Sequence, residues 1–245
     1  MKNEPLLKYL IFQFETALKN APKIDPDKDI EYLHKFRVAI RRSRSLLKLF
    51  QPDAYAFNAI LKEIVQKTNE LRELDVFLAS LDPISYPILS KKIGKYRKKH
   101  FKEIWSSEFS ETTIKKLYQL LDEIKTVDLP NKKKELVDSA EKFHSTSLEI
   151  FHNLPKNTSN EALHELRIKF KISRYALEFL NSCDLSNKQK SIEECKQIQD
   201  HFGEIQDAAN QLDWLEQFCN QNPCKECKQL IKERKQFLKL VKKHM

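Results

Sequence analysis

Two twenty-residue stretches, 130 positions apart, constrain the fold of this chain more than any other feature. Residues 31–50 read EYLHKFRVAIRRSRSLLKLF and residues 161–180 read EALHELRIKFKISRYALEFL. His34, Arg37, Arg41 and Arg44 stand at offsets 0, 3, 7 and 10 in the first; His164, Arg167, Lys171 and Arg174 stand at the same offsets in the second. A helix advances about 100° per residue, so each set forms a stripe roughly 80° wide. Lys48 prolongs the first stripe. Leu33, Phe36, Val38, Ile40, Leu46, Leu47, Leu49 and Phe50 fill most of the remaining circumference, and Leu163, Leu166, Ile168, Phe170, Ile172, Leu177, Phe179 and Leu180 do the same in the second stretch. A surface helix normally pairs an apolar face with one of mixed charge. Here the polar sector is almost purely cationic, which predicts that it faces a polar interior or cleft. Recurrence at matched offsets marks an internal repeat.

Helical periodicity continues through almost the whole chain. It predicts helices at 4–20, 28–50, 54–81, 86–106, 111–125, 132–153, 159–181, 188–220 and 224–243. Asp53, Ser110 and Ser159 are candidate N-caps. Prolines 22, 26, 52, 83, 130, 155 and 223 fall in the connections. Only two glycines occur in 245 residues and no stretch alternates long enough for a strand, so the fold is expected to be all-α. The repeat extends more loosely into the next helix. NELRELD at 69–75 can be set against GEIQDAA at 203–209, pairing Glu73 with Asp207 after a four-residue adjustment. The expectation is one domain over 1–245, built from two four-helix-bundle halves by internal duplication. The halves would be 1–129 and 130–245, with helix 111–125 bridging them.

Lysine and arginine exceed aspartate and glutamate by nine. That excess calls for an anionic partner: nucleic acid, an acidic membrane surface or a polyphosphate. No run of 18 apolar residues exists to span a membrane, and the N-terminal PLLKYLIFQFETALKNA lacks a cleavage site. Five cysteines without an even-numbered framework point to a reducing compartment, and together these features to a cytoplasmic protein. Cys219, Cys224 and Cys227 form C-x4-C-x2-C but lack a fourth ligand at zinc spacing, so they read as unpaired thiols and no metal is expected.

Phosphate suits the stripes. Arginine offers a planar fork and lysine a compact charge, and histidine can donate to an oxyanion as imidazolium. Catalysis by the histidines would need a partnering carboxylate or second base. The stripes contain no carboxylate before Glu178, and no P-loop, G-x-S-x-G or H-E-x-x-H motif appears, so the reading is non-catalytic and cofactor-free. A phosphatase or phosphotransferase using the histidines is the enzymatic alternative. Nucleic-acid binding is the other; the base-stacking aromatics it would require are not interleaved with the stripes. Lysine clusters at 91–102, 132–134 and 232–243 read mostly as solvated faces, some extending the basic surface.

At these residues the sequence resembles the CHAD family (conserved histidine α-helical domain). The family pattern H-x-x-R-V-x-x-R-R-x-R is met by HKFRVAIRRSR, which gives His34, Arg37, Arg41, Arg42 and Arg44. The second-half pattern H-x-x-R-I-x-x-K-x-x-R-Y is met by HELRIKFKISRY, which gives His164, Arg167, Lys171, Arg174 and Tyr175. RELDV at 72–76 matches R-D-L-D-V, and IQDHFGEIQD at 198–207 matches L-Q-x-x-L-G-x-x-x-D. Asn69 stands where the first half usually has Gly, and Glu73 replaces Asp. The resemblance implies two four-helix bundles about a pseudo-twofold axis and a basic channel for inorganic polyphosphate. It further implies a stand-alone binding domain, since the N-terminal triphosphate-tunnel strand E-x-E-x-K is not found, and association with polyphosphate-containing granules. The expected polyphosphate-binding set is His34, Arg37, Arg41, Arg44, His164, Arg167, Lys171 and Arg174. Arg42, Lys48 and Lys169 are further candidates off the matched offsets.

Overall fold

The computed structural model describes residues 4–155 and 158–243. Among them are ten α-helices, two short 3-10 turns and no strand, in keeping with the all-α expectation. The helices are α1 (Pro5–Asn20), α2 (Glu31–Phe50), α3 (Tyr55–Lys67), α4 (Asn69–Ser80), α5 (Pro87–Ile104), α6 (Ser107–Glu123), α7 (Lys133–His152), α8 (Asn160–Ser182), α9 (Gln189–Gln221) and α10 (Lys225–Lys243). Pro5 and Pro87 open α1 and α5, where a missing N–H costs nothing and the fixed φ already suits the helix. Ser159 caps α8 as expected, its hydroxyl accepting from the Ala162 N–H at 3.2 Å. Ser110 does not cap: α6 begins a turn earlier, where Ser106 accepts from the Phe109 N–H. Asp53 makes no cap either, because α3 starts after Ala54 without a side-chain bond.

The helix expected over 54–81 is two helices that break at Thr68. Thr68 Oγ1 donates back to the Ile64 carbonyl at 2.9 Å, competing with the backbone ladder. Arg37 fixes the break from outside. Its Nη1 donates to the Val65 carbonyl at 2.7 Å and to Thr68 Oγ1, and its Nη2 to Asn69 Oδ1 at 2.6 Å.

Two apolar clusters hold the helices together. The larger takes Leu10 and Phe14 from α1, Phe36 and Leu47 from α2, Leu61 from α3, Leu117 from α6, Leu136 from α7 and Phe170 and Phe179 from α8. The smaller takes Leu74 and Phe77 from α4, Leu89 and Ile93 from α5, Leu215 and Phe218 from α9 and Leu230 from α10. Each fully buried side chain of this kind contributes roughly 1.5–3 kcal/mol. Both clusters draw on residues before and after Leu129, so the two sequence halves share their cores. In the larger cluster α2 packs directly on α8, where Phe50 and Phe179 meet edge to face at 5.8 Å.

Cys219 and Cys227 are paired as a disulfide that ties the end of α9 to the start of α10. This corrects the expectation of unpaired thiols there. The antiparallel turn around Pro223 brings the two Cα atoms within 5.8 Å, inside bridging range. Cys183, Cys195 and Cys224 are free. Among the described residues no cluster of His, Cys, Asp or Glu could hold a metal, and no helix is long and apolar enough to cross a membrane.

Candidate anion-binding site

The apolar faces of α2 and α8 lie in the larger core and the two helices pack on each other, which brings cationic side chains of one close to those of the other. Glu178 of α8 marks the junction. It accepts from Arg42 Nη2 of α2 at 2.8 Å, and its other oxygen lies 3.6 Å from Arg174 Nε of α8. The guanidinium groups of Arg42 and Arg174 sit over the Tyr175 ring at 5.9 and 5.1 Å. One carboxylate and one ring thus pin a cation from each helix.

Arg41 of α2 and Lys171 of α8 lie close enough for their charges to interact. Lys171 is pushed down to about 8, first by burial and then by the charges of Arg167 and Arg41, with Asp207 opposing. Arg41, Arg44, Lys171, His34 and His164 have no carboxylate partner among the described residues. Burial lowers His34 below the usual imidazole range, and Arg72, Arg41 and Arg37 lower it further against Glu31. Burial also lowers Arg44, and burial with Arg44 and Lys62 lowers Lys48.

Hydrogen bonding is incomplete along both stripes. The Nε atoms of Arg37, Arg41, Arg42, Arg44, Arg167 and Arg174 are buried without an acceptor, as is His34 Nδ1. Buried polar groups are almost always satisfied, so the orphaned Nε donors of the half-buried Arg41, Arg44 and Arg167 call for an acceptor from outside the protein, whereas Arg37 is sealed within the fold and Arg42 and Arg174 share Glu178.

The expected residues do not all stand alike. Arg37 is only 4% exposed and is occupied by the α3–α4 break. Burial lowers its pKa from the ordinary value, although a guanidinium stays charged at neutral pH. Arg167 lies across Gly203, where an added Cβ would stand 2.9 Å from Nη2, and reaches Asp207 at 3.1 Å. His164 is exposed near the start of α8, and Lys48 is exposed beyond Arg44. Lys169 lies two residues before Lys171, about 160° around the helix from it, and so belongs to another face.

Three residues stand near the stripes without having been assigned to the site from the sequence. Arg72 of α4 faces His34 and Arg37, and Lys62 of α3 extends the cationic edge at Lys48. Arg72 opens the RELDV segment, so its signal was in plain view without a role. Glu73 is the third. Burial raises its pKa, Arg37 opposes, and Glu70 and Asp207 raise it further, so acidic residues of α4 and α9 lie near one another close to Arg37. Asp75 of the same segment is structural: it accepts from Arg97 Nε at 2.5 Å and so anchors α5.

An all-helical protein with two facing basic helices is the class these features define. The chain belongs to the CHAD family: the CHAD domain model matches residues 8–216. The fold is similar to the crystal structure of the CHAD domain from the plant Ricinus communis, with a TM-score of 0.72 and 20% identity over 97% of this chain and 87% of that one. No curated protein matches the chain.

Proposed function

We propose that this chain binds inorganic polyphosphate, without transforming it, in the cleft between α2 and α8. The observation that carries the reading is the concentration of unpartnered donors there. Arg41, Arg44 and Lys171 face the cleft without carboxylates, and the stripe arginines leave their Nε groups unsatisfied. Ten helical residues span about 15 Å, so each stripe addresses several phosphates in a row and favours a chain over orthophosphate. Direct contacts are assigned to His34, Arg41, Arg44, Arg167, Lys171 and Arg174, with Arg42, Lys48 and His164 at the margins. Arg37 positions the wall of the site. Asp207 orients Arg167, while Arg37 is oriented by Val65, Thr68 and Asn69 and feels the charge of nearby Glu73; the site is read as one of binding. We further read the chain as two duplicated halves, 1–129 and 130–245, and as a cytoplasmic protein found with polyphosphate-containing granules. The matched placement of Arg37 beside Asn69 and of Arg167 beside Gly203, two positions the repeat sets against each other, supports the duplication.

Competition tests the reading. Long-chain polyphosphate is expected to displace a fluorescent polyanion from the protein far better than duplex DNA does. Arg41→Gln with Lys171→Gln is expected to weaken that displacement at least tenfold, whereas Lys132→Gln with Lys133→Gln leaves it nearly unchanged. Equal losses from both pairs would reduce the site to a diffuse basic field. Release of orthophosphate by the wild-type protein would show an enzyme instead.

A further inference from the structure

We propose that the lysine row of α10 is a second contact track for polyphosphate, carrying the part of a long chain that emerges from the α2–α8 cleft; this rests on the function proposed above. Lys225, Lys228, Lys232, Lys235 and Lys239 follow one another at spacings of 3, 4, 3 and 4. They occupy an arc of about 80° on the helix and run for about 21 Å. All five are exposed, and all lie beyond residues 8–216, the part of the chain that the family model matches.

A solvated helical face ordinarily interleaves acids with its lysines, since like charges at i,i+3 and i,i+4 repel. This row does the reverse. Lys225 faces Lys228, Lys228 faces Lys232, Lys232 faces Lys235 and Lys235 faces Lys239. The glutamates of α10 are engaged elsewhere. Glu226 accepts from the Ile88 and Leu89 N–H groups at 3.2 and 2.7 Å, at the start of α5. Glu233 accepts from the Tyr86 hydroxyl and from Gln229 at 3.1 Å. Among the described residues only Lys235 of the row has a carboxylate, Glu216 at 2.5 Å. Three of the six lysines of α5 differ: Lys98 is paired with Asp27, Lys99 lies beside Glu103, and Lys92 donates to the Asn222 and Pro223 carbonyls.

The row also points the right way. The Cys219–Cys227 link and the Lys235–Glu216 pair set α10 antiparallel to α9. Arg234 lies over the Phe77 ring at 5.9 Å and donates to Ser80 Oγ at 3.2 Å. From there α10 runs back along α9 in the direction of Asp207, the partner of Arg167. Lys242 and Lys243 would continue the spacing but lie outside the described side chains.

The test uses the full-length chain, with tripolyphosphate and long-chain polyphosphate as probes. Lys228→Gln, Lys232→Gln and Lys239→Gln are combined in one variant, with Lys132→Gln, Lys133→Gln and Lys134→Gln as the equal-charge control. Glutamine keeps helix propensity close to that of lysine, and a circular dichroism spectrum confirms the fold. The α10 variant is expected to lose about tenfold in affinity for the long chain and to show a shallower salt dependence. Its tripolyphosphate affinity should stay at the wild-type value. Unchanged long-chain affinity, or an equal loss in the control, overturns the track and leaves the cleft reading intact. Equal loss of both ligands also overturns it, by placing the lysines in the primary site. A wild-type protein that binds neither probe overturns both proposals together.

Discussion

α2 and α8 carry histidine, arginine or lysine at the same four offsets, yet they use the second of them differently. Arg37 is sealed beneath the surface, donating to Val65, Thr68 and Asn69 where the next helix breaks. Arg167 lies over Gly203 in an unbroken α9 and pairs with Asp207. The residue at the matched place decides the outcome. Asn69 supplies an acceptor that holds one guanidinium in, and Gly203 supplies room for the other to lie across the helix. A repeated offset therefore fixes where a cation stands on its helix, while its availability to a ligand depends on the helix packed opposite.

That comparison breaks most visibly in stability. Arg37→Gln is expected to cost roughly 2–4 kcal/mol, because the acceptors at the α3–α4 break lose a buried charged donor. Arg167→Gln, whose partner Asp207 is exposed, should cost less than about 1 kcal/mol while weakening polyphosphate binding directly. Denaturant titration of the two variants measures the difference. Equal stability losses would mean that the two arginines do the same job after all.

Lys171 and its matched residue Arg41 sharpen the comparison through pH. Lys171 is pushed to about 8, well under its ordinary 10.5, so the folded state disfavours its charge. Between these values the unfolded chain binds more protons than the folded one. This group therefore makes the free protein more stable as pH rises from about 8 to 10.5, and the gain is lost again as pH falls. Lys171→Met should stabilise the free protein by roughly 1–3 kcal/mol, discounted for partial exposure, and weaken binding. Polyphosphate affinity runs the opposite way, strongest below pH 8 and declining as Lys171 loses its proton. His34, lowered by burial and by Arg72, should add affinity at the acid end as bound phosphates favour imidazolium. Calorimetry in buffers of different ionisation enthalpy should detect net proton uptake on binding near pH 8. Binding without proton uptake would put Lys171 outside the ligand's reach.

The stripes and the all-helical fold were legible because both rest on local spacing, which the i+3 and i+4 periodicity carries without help from tertiary structure. The rest depended on residues distant in sequence. Periodicity runs through Thr68 without interruption, and the agent that fixes the break there, Arg37, lies 31 positions away. Arg72 was visible as a motif residue, but its nearness to His34 depends on where the break after α3 places α4. The Cys219–Cys227 pairing required knowing that α9 and α10 fold back on each other. Arg37 itself was picked out by its offset, which says nothing of its burial.

The smallest expected effect isolates the residue on which the comparison turns. Gly203→Ala adds a Cβ at 2.9 Å from Arg167 Nη2, too close to leave the guanidinium where it lies. Alanine gains up to about 1 kcal/mol over glycine in a helix interior, which offsets the displacement, so net stability should scarcely change. Binding should fall only a few-fold, because Arg167 moves but keeps its charge. The decisive measurement is a double-mutant cycle. In an Arg167→Gln background Gly203→Ala should have little further effect on polyphosphate affinity, since the group it displaces is already gone. Additive losses would mean that Gly203 acts on the ligand directly, and the contrast between Asn69 and Gly203 would no longer explain why one arginine is sealed and the other exposed to the cleft.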